Sequence, residues 1–393
     1  MGATFELHGS WTSAFAKRVA IQNDVTSRFP AARAVLANAI EDHAFPGAAF
    51  GVLARGEVVA IESAGHFTYA ADSAPVLPET VFDLASVSKV MATTAMAMLL
   101  WERGRLDLDE PIGERLPEFI HNLTAQNPRR GITARMLLAH SSGLPAYAPL
   151  FEHCASPGAL LAACLRMPLE APPESRTAYS DIGFIVLGHL LETLAGERLD
   201  EFCRREIFTP LEMKSTMYRP PPEVRHSIPP TARDDSFRHR LLQGEVHDGN
   251  CYVLGGVSGH AGLFSNVADT LRFARSILED GAPIFRPETV DLFTAPHGTP
   301  SGPARALGWD IPSPPSSSGK FFSARSIGHL GYTGTSLWID LDKKVAIALL
   351  TNRTFPGDGP DDPSKKIQQV RPRFHDAVLG ELGMAPASGE SPG

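Results

Sequence analysis

The chain lacks the long apolar runs that carry a protein into or across a membrane. Its longest apolar stretch, residues 90–101, contains two threonines and is too short to span a bilayer. Residues 1–24 include no apolar segment of roughly 7–15 residues, which a secretory signal peptide requires. As the sequence is written, we therefore expect a cytoplasmic protein without a membrane span. A trimmed or wrongly assigned start would instead allow a periplasmic or secreted protein.

Positive charge is also scarce. The 36 Lys and Arg residues are outnumbered by 44 Asp and Glu residues, which gives a net charge of −8. Because binding to nucleic acid phosphates needs a basic surface, we expect no nucleic acid partner. The apolar content of 43% in 393 residues is typical of a globular chain with a large core.

Cysteine is rare, and metal-binding patterns are missing. None of the four cysteines forms a C-x-x-C pair or a zinc-like spacing, which favours reduced and mostly buried thiols. These are Cys154, Cys164, Cys203 and Cys251. The pair His247-Asp248 suggests metal ligands, but no H-x-x-E-H spacing accompanies it. We therefore expect neither a metal nor another cofactor.

The serine pattern of the α/β-hydrolases is absent as well. The G-x-S-x-G elbow is not completed, since Gly256-Val257-Ser258-Gly259 is followed by His260. The chain instead contains Ser86-Val87-Ser88-Lys89 at the start of an apolar, helix-like run over 87–103. A serine and a lysine three positions apart lie on one face of a helix. A lysine held neutral can take the serine proton and activate the serine for acyl transfer.

Context distinguishes this motif from a second match, Ser317-Ser318-Gly319-Lys320. About one S-x-x-K match is expected by chance in a chain of this length. Ser86 opens a helix, whose positive end favours an oxyanion and disfavours an ammonium at Lys89. Burial lowers the lysine pKa further. To act as a base near neutral pH, the lysine needs a pKa about three units below its free value of about 10.4, and this shift costs about 4 kcal/mol. Because Ser317 lies in the Pro- and Ser-rich loop 300–320, Ser86 is the predicted nucleophile.

Two further elements would complete such a site. Tyr179-Ser180-Asp181 opens the amphipathic run 183–194, and a tyrosine there can return a proton to a leaving group. Taken alone, Tyr179 is also consistent with a half-buried core tyrosine. The glycine-rich segment 328–336 leads into a β-type run, where a substrate can lie against the edge of a strand. Taken alone, this segment is equally consistent with a turn before a strand.

The pattern of β-type and helical runs predicts an α/β fold of the α+β type. Hairpins are predicted near both ends of the chain, at 48–62 and 336–350. Helices are predicted at 31–44, 87–103, 134–138, 157–166, 182–194, 199–206, 270–278 and 364–382. We expect one antiparallel sheet from both hairpins, flanked by the terminal helices, with a mostly helical domain inserted. The predicted domains are 1–85 with 300–393, and 86–299, with the active site at their interface.

The three motifs, in this order, resemble the serine β-lactamase and penicillin-binding-protein superfamily, and its class C-like branch in particular. That branch contains class C β-lactamases, D-alanyl-D-alanine carboxypeptidases, D-aminopeptidases and related carboxylesterases. The resemblance covers roughly residues 30–380 and includes 132–145 and 259–265. The run 246–257 resembles the subgroup that contains penicillin-binding protein 4B. The implied fold is that of β-lactamases and transpeptidases, in agreement with the predicted arrangement.

By position, the resemblance implies Ser86 as the acylated nucleophile, Lys89 as its base and Tyr179 as the proton shuttle. The oxyanion hole would consist of the backbone N–H groups of Ser86 and Tyr332. Two histidines in matching turns are interpreted as loop hydrogen-bonding residues: His140 and His260.

Substrate contacts are also implied by the resemblance. His329-Leu330-Gly331 matches the K-T-G position, and Asp181 holds the place of the usual asparagine. A register with Tyr332-Thr333-Gly334 at the K-T-G position stays open. The family asparagine donates a hydrogen bond to the acyl amide of the substrate, whereas a carboxylate only accepts.

The third motif departs from the family pattern too. Leu330 replaces a hydroxyl residue and His329 replaces a permanent cation, a pair that holds a substrate carboxylate in the family. Histidine titrates near about 6.5, so it carries only part of a charge at neutral pH. Strong β-lactamase activity is therefore not expected.

We expect a metal-independent serine hydrolase that works through an acyl-enzyme on Ser86. A carboxylesterase with side activity on β-lactams is the first choice, with a small-molecule ester, amide or β-lactam as partner. A β-lactamase, a D-alanyl-D-alanine carboxypeptidase or a D-aminopeptidase is the alternative. An inactive binding or sensor protein of the same fold is the alternative from a different class, suggested by Asp181 and Leu330.

Overall fold

A computed structural model describes residues 27–357 and 363–384, so the expectations for residues 1–24 lie outside the described chain. The strands in the described residues are β1 Gly47–Ala54, β2 Glu57–Gly65, β3 Phe82–Asp83, β4 Met217–Tyr218, β5 Ala232–Asp234, β6 Arg240–Leu242, β7 Leu263–Ser265, β8 Ser326–Leu330, β9 Ser336–Asp340 and β10 Val345–Thr351.

Five of these strands form one antiparallel sheet in the order β2-β1-β10-β9-β8. The central pair joins the two ends of the chain, with Ala48 opposite Thr351 and Ala54 opposite Val345. All eight residues of β1 and all seven of β10 are buried, because helices cover both faces of the sheet. An antiparallel sheet built from both ends of the chain confirms the predicted fold class.

The α-helices in the described residues are α1 Pro30–Glu41, α2 Ala95–Glu102, α3 Ala134–Leu138, α4 Pro157–Arg166, α5 Asp181–Ala195, α6 Leu199–Cys203, α7 Pro222–Arg225, α8 Gly249–Val253, α9 Val267–Leu278, α10 Pro287–Thr294 and α11 Pro363–Glu381. Short 3₁₀ turns lie at Ala85–Val87, Ile112–Glu114, Pro117–Phe119, Pro128–Gly131 and Leu150–Glu152, and π-helical segments at Lys89–Thr94 and Arg204–Phe208.

One face of the sheet is covered by the terminal helices α1 and α11, as predicted. The ring of Phe50 in β1 lies 6.5 Å from that of Phe29, directly before α1, and 5.2 Å from that of Phe374 in α11. All three rings are buried, and burial of each contributes on the order of 1.5–3 kcal/mol. These contacts fix the two ends of the chain to the same sheet face.

The opposite face is covered by α9, which comes from the middle of the chain. Gly51 of β1 makes this close packing possible, since a Cβ there would lie 2.3 Å from Val267 and 2.8 Å from Leu271. The central segment therefore contributes to the cover of the sheet. The division into a 1–85 plus 300–393 domain and an 86–299 domain stays a prediction.

The run that carries Ser86 differs from the single helix predicted over 87–103. The 3₁₀ turn at Ala85–Val87 is followed by the π-helical segment Lys89–Thr94, and only then by α2. Gly104 ends the run with φ +64°, in the left-handed conformation of a helix cap. Sequence propensity does not separate these helix types, because they differ only in which carbonyl each N–H reaches.

Several elements lie where no helix or strand was predicted, among them β3 to β7, α7, α8 and α10, whereas β8 overlaps the glycine-rich segment 328–336. In β8, Gly328 packs beneath Trp338 of β9, and a Cβ at 328 would lie 2.3 Å from the indole ring. A glycine weakens the strand pattern in the sequence, so tertiary pairing rather than propensity defines β8.

Within residues 27–357 and 363–384, no helix has both the length and the apolar character needed to cross a bilayer. All four cysteines are free thiols, and three of them are buried. In the same two ranges, no cluster of three or more His, Cys, Asp or Glu side chains is arranged to hold a metal ion.

Candidate active site

Ser86 lies on a strained turn between β3 and the π-helical segment. Ala85, directly before it, has φ +46°, a left-handed conformation that costs energy for any residue with a Cβ. The Ala85 N–H donates to the Asp83 carboxylate at 2.9 Å, and the Val87 N–H donates to the Leu84 carbonyl at 3.1 Å. These contacts hold the turn that presents the partly exposed Ser86 side chain.

Asp83 is a functional contact that the sequence analysis missed. Its buried carboxylate also accepts the backbone N–H of His247 at 2.7 Å. Burial raises the pKa of Asp83 to about 6, although the hydrogen bonds from His247 and Ala85 favour its charged form. One buried side chain thus ties the Ser86 turn to the segment that contains His247.

Lys89 lies directly behind Ser86. Its Nζ is 2.9 Å from Ser86 Oγ, 2.7 Å from Asp181 Oδ1 and 2.9 Å from the His260 carbonyl oxygen. The side chain is fully buried, and this burial lowers the pKa of Lys89, while Asp181 opposes that shift. The three neighbours match the three N–H bonds of an ammonium, so the site can hold Lys89 after it has accepted a proton.

Tyr179 reaches Ser86 from the other side. Its hydroxyl donates to Ser86 Oγ at 2.7 Å, and Lys89 Nζ lies 4.9 Å from the centre of its ring. Burial raises the pKa of Tyr179 well above its ordinary value, so the phenol is protonated at neutral pH. Ser180 caps α5 by accepting the Gly183 N–H at 2.9 Å, which fixes Tyr179 at the start of that helix.

His140 supports the tyrosine. Its ring lies 4.7 Å from the Tyr179 ring and 4.9 Å from the Phe184 ring. His140 Nδ1 accepts the Ser180 backbone N–H at 2.9 Å, which is the loop hydrogen bonding expected for this residue. Burial lowers the pKa of His140 well below its ordinary value, so the ring is a neutral support for Tyr179.

The third motif ends β8 beside this cluster. His329 and Leu330 are the last two residues of the strand, whereas Tyr332-Thr333-Gly334 lies in the turn to β9. This placement favours the register that aligns His329-Leu330-Gly331 with the K-T-G position.

The partial charge expected of His329 is not found. The side chain is only 1% exposed, and its Nδ1 donates to the Leu330 carbonyl at 2.8 Å. Burial lowers the pKa of His329 to about 4, so the ring is neutral at pH 7. With the apolar Leu330 beside it, this part of the strand offers a substrate carboxylate neither charge nor hydroxyl.

Gly331 brings the strand end against the Ser86 turn. A Cβ at this position would lie 2.5 Å from the Leu84 carbonyl oxygen and 2.0 Å from Thr335 Oγ1. Two threonine hydroxyls bind the same turn: Thr335 Oγ1 donates to the Leu84 carbonyl at 2.9 Å, and Thr333 Oγ1 to the Asp83 carbonyl at 2.7 Å. The chain around Tyr332 therefore adjoins the Ser86 turn.

Arg305 is a cation of the site that the sequence analysis missed. Its guanidinium carbon lies 5.5 Å from the centre of the Tyr179 ring, and it forms an ion pair with Asp310. Asp310 exchanges backbone hydrogen bonds with Gly328 at 2.8 and 2.9 Å, which extends the sheet beyond β8. No signal in the Pro- and Ser-rich loop 300–320 indicated this role.

Asp248 takes part in a hydrogen-bonded chain of side chains with His260 and Ser258. His260 Nε2 lies 2.8 Å from Asp248 Oδ1, and His260 Nδ1 lies 2.8 Å from Ser258 Oγ. Burial alone would raise the pKa of Asp248, but His260 and the Cys251 N–H lower it to about 2. The chain fixes the segment whose His260 carbonyl contacts Lys89, in line with the loop role expected for His260.

The second S-x-x-K match lies in a loop that contacts α11. Its loop is held by Asp376 of α11, whose carboxylate accepts the N–H groups of Lys320 and Phe321 at 2.7 and 3.2 Å. The Lys320 side chain is exposed. The exposed surroundings of Lys320 differ from the buried pocket that holds Lys89.

Comparisons with known proteins identify the family. The sequence profile of the family described as Beta-lactamase matches residues 32–371. An N-acetylmuramyl-L-alanine amidase of Bacillus subtilis (strain 168) is 33% identical over 79% of this chain and 77% of its own length. A putative D-alanyl-D-alanine carboxypeptidase of Escherichia coli (strain K12) is 32% identical over 73% of this chain and 71% of its own length.

The fold is shared with solved structures as well. The structure titled "EstCE1, a hydrolase with promiscuous acyltransferase activity" covers 89% of this chain and 98% of its own, with a TM-score of 0.69 and 22% identity. This likeness supports the fold, whereas the profile and the two relatives establish descent. The chain belongs to the Beta-lactamase family of serine hydrolases.

Proposed function

We propose that the protein hydrolyses small carboxylic esters through an acyl-enzyme on Ser86, as a carboxylesterase with slower side activity on β-lactams. The observation that carries this proposal is the convergence of two proton-handling groups on one oxygen. Lys89 Nζ lies 2.9 Å and the Tyr179 hydroxyl 2.7 Å from Ser86 Oγ. An inactive binding protein of the same fold has no need to keep this arrangement.

In the proposed acylation, Ser86 Oγ attacks the carbonyl carbon of the ester while its proton passes to neutral Lys89. The tetrahedral intermediate collapses with cleavage of the bond to the alcohol oxygen, which takes the Tyr179 hydroxyl proton. Tyr179 then recovers a proton from the Lys89 ammonium. Asp181, 2.7 Å from Lys89 Nζ, stabilises that ammonium while it exists.

Deacylation reverses the proton path. Water adds to the acyl carbon and gives its proton to Lys89, and the bond to Ser86 Oγ breaks as the oxygen takes the Tyr179 proton. Tyr179 is again reprotonated by Lys89, and a carboxylic acid is released. The backbone N–H groups of Ser86 and Tyr332 are the proposed oxyanion hole, beside the positive end of the following helix.

The proposed preference for esters rests on the third motif. A D-peptide or penicillin-type substrate presents a carboxylate that the family holds with a cation and a hydroxyl. His329 is neutral and buried here, and Leu330 has no hydroxyl, so His329, Leu330 and Gly331 are proposed to line an uncharged wall. A simple ester needs no such anchor.

Amide hydrolysis is the second candidate. It is favoured by the relatives named as an N-acetylmuramyl-L-alanine amidase and a putative D-alanyl-D-alanine carboxypeptidase. The same proton path serves an amine leaving group, because Tyr179 can donate its proton to nitrogen as well as to oxygen. The proposed partner is therefore a small-molecule ester or amide.

The test compares p-nitrophenyl acetate and butyrate, nitrocefin and a D-Ala-D-Ala peptide as substrates. We expect ester turnover, an acyl adduct on the Ser86 peptide by mass spectrometry, and loss of both in Ser86→Ala. Ser317→Ala, in the other S-x-x-K match, is the matched control and should behave as wild type. Lys89→Ala should lose at least about two orders of magnitude in rate. Full activity of Ser86→Ala on a turned-over substrate contradicts the proposal.

A further inference from the structure

We propose that Arg371 of α11 is a positioning residue for the oxyanion hole. Its guanidinium donates to the carbonyl of Gly331, and this carbonyl belongs to the same peptide group as the N–H of Tyr332. The inference rests on the proposed acyl-enzyme chemistry at Ser86 and adds to it a residue that acts on the substrate only through another group. That group is one peptide unit of the turn between β8 and β9.

One nitrogen of Arg371 joins the two ends of this turn. Its Nη2 lies 2.7 Å from the Gly331 carbonyl oxygen and 2.8 Å from the Thr335 carbonyl oxygen. The turn also closes on itself, since the Gly331 N–H donates to the Thr335 carbonyl at 2.7 Å. Thr335 Oγ1 donates to the Leu84 carbonyl in the turn that presents the nucleophile. Arg371 therefore fixes the peptide that carries the Tyr332 N–H relative to the nucleophile.

The peptide group between Gly331 and Tyr332 connects the guanidinium to the reaction. A trans peptide group is planar, so its C=O and N–H point in opposite directions. A guanidinium at the carbonyl end therefore lies in line with an oxyanion at the N–H end. A charged donor at the carbonyl polarises the amide and strengthens the hydrogen bond that the N–H donates. The positive charge also attracts the oxyanion directly, and buried surroundings screen this attraction less than water does.

Arg371 is a cation that the fold buries without an acidic partner. The residue is 5% exposed, and its Nε has no hydrogen-bond partner in the part of the chain that the structure describes. Within residues 27–357 and 363–384 it forms no ion pair with a carboxylate, and both of its hydrogen bonds go to neutral carbonyls. Burial, and then Arg353, lower the pKa of Arg371 to about 9, so the guanidinium is still charged at pH 7. A buried cation without a carboxylate costs stability, which indicates a use beyond packing.

Arg353, which follows β10, holds the next carbonyl of the same turn. Its Nε donates to the Tyr332 carbonyl at 2.6 Å, and its guanidinium carbon lies 4.4 Å from the centre of the Tyr332 ring. The Arg353 N–H also donates to the Thr333 carbonyl at 2.9 Å. The peptide groups on both sides of Tyr332 are thus held by guanidinium groups, which leaves its N–H little freedom to rotate.

The test compares p-nitrophenyl acetate with its thiono analogue, in which sulfur replaces the carbonyl oxygen. Sulfur accepts hydrogen bonds weakly, so the thionoester gains little from an oxyanion hole. The quantity measured is the oxo/thiono ratio, which is the ratio of the second-order rate constants for p-nitrophenol release with enzyme in excess. A partial loss of folded enzyme lowers both rates alike, whereas a weakened oxyanion hole lowers the ratio.

Two variants separate the charge of Arg371 from its shape. Arg371→Gln removes the charge but keeps an N–H donor, and it should lower the oxo/thiono ratio at least about tenfold. Arg371→Lys keeps the charge but lacks the planar guanidinium fork, so the ratio should fall by a smaller factor, about threefold.

Arg129→Gln is the matched control. Arg129 is also 5% exposed, and its guanidinium donates to the carbonyls of Leu165 and Met167 at the end of α4. Its Nε, like that of Arg371, has no partner among the described residues. The variant should lose stability in urea but keep the wild-type oxo/thiono ratio, because its carbonyl partners do not belong to the turn that contains Tyr332.

The outcomes separate this inference from the proposed function. A wild-type ratio in Arg371→Gln overturns the inference while Ser86-dependent turnover persists. If Arg371→Gln does not fold, a wild-type ratio in Arg371→Lys overturns it instead. An equally lowered ratio in Arg129→Gln also overturns it, because any buried arginine would then have the same effect. Turnover of p-nitrophenyl acetate that survives in Ser86→Ala contradicts the proposed function itself.

Discussion

Lys89 and Asp181 form an ion pair at 2.7 Å in which the lysine is fully buried and the aspartate reaches the cleft. Burial lowers the pKa of Lys89, and Asp181 raises it again. The aspartate therefore controls two quantities at once: the fraction of Lys89 that is neutral before the reaction, and the stability of the ammonium formed during it. An amide in its place supplies no charge for either.

Asp181→Asn should shift the acid limb of the pH–rate profile to lower pH. Without the carboxylate the pKa of Lys89 falls further, so the neutral base persists in more acidic solution. The plateau rate should fall about tenfold, equal to about 1.4 kcal/mol, because the ammonium formed in the transition state loses its partner. Measurement of kcat/KM for p-nitrophenyl acetate from about pH 5 to 9 checks both effects. An acid limb at the wild-type position would show that Lys89 is not the titrating base.

Tyr179→Phe should reduce kcat by about two orders of magnitude while the fold is retained. The change removes only the hydroxyl that donates to Ser86 Oγ, and the ring keeps its contact with His140. Steady-state kinetics with p-nitrophenyl butyrate, together with circular dichroism, measure the two properties separately. Tyr69→Phe, in a loop near His43, is the control and should keep the wild-type rate. A Tyr179→Phe enzyme of comparable activity removes the tyrosine from the proton path.

Stability should fall as the pH is lowered from about 6.5 to 4. Burial lowers the pKa of His329 to about 4 and that of His375 to about 3, both below the unfolded value of about 6.5. Between these values the unfolded chain binds more protons than the folded one, so acid favours unfolding. Each histidine should contribute about 2 kcal/mol of lost stability between pH 7 and pH 5.

Urea unfolding of wild type and His375→Gln at the two pH values tests this expectation. The difference between pH 7 and pH 5 should be smaller in the variant by about 2 kcal/mol, whatever the absolute stability of each protein. Identical pH differences in the two proteins would mean that His375 titrates alike in both states.

Gly331→Ala should impair activity strongly, although it adds only a methyl group and changes no polar group. The added methyl group would overlap the Leu84 carbonyl and Thr335 Oγ1, so β8 must withdraw from the Ser86 turn. We expect a loss of about 1–3 kcal/mol in stability and at least about a hundredfold in kcat/KM. Gly158→Ala, in α4, has no atom within 4 Å of the new Cβ and should gain about 0.5–1 kcal/mol. Wild-type kinetics of Gly331→Ala would refute the proposed contact between strand end and nucleophile turn.

The parts of the fold that the sequence predicted are those encoded locally. The two hairpins and the S-x-x-K spacing depend on residues a few positions apart, where backbone geometry leaves little choice. The alternation of β-type runs and helices then determined which elements form the sheet. The π-helical form of Lys89–Thr94 could not be predicted from the sequence, because residue propensities for α-, 3₁₀- and π-helices are nearly the same.

The parts that were missed depend on distant pairs. Asp83 meets His247 across 164 positions, and Lys89 meets Asp181 across 92. Arg305 reaches Tyr179 from a loop whose composition indicates only irregular structure. The burial of His329 is likewise a property of the packed strand, which is why its charge could not be predicted from the residue type alone.

The pairing of β1 with β10 affects folding of the chain during its synthesis on the ribosome. Ala48 leaves the ribosome some three hundred residues before its partner Thr351, so β1 has an unpaired edge during most of synthesis. Such long-range pairing slows folding, since a large loop must close before the sheet gains its central contact. A chain that terminates before residue 345 still contains Ser86, Lys89 and Tyr179, but lacks β10 and the sheet that supports the third motif. Premature termination therefore yields an aggregation-prone product without an assembled site, rather than a smaller working enzyme.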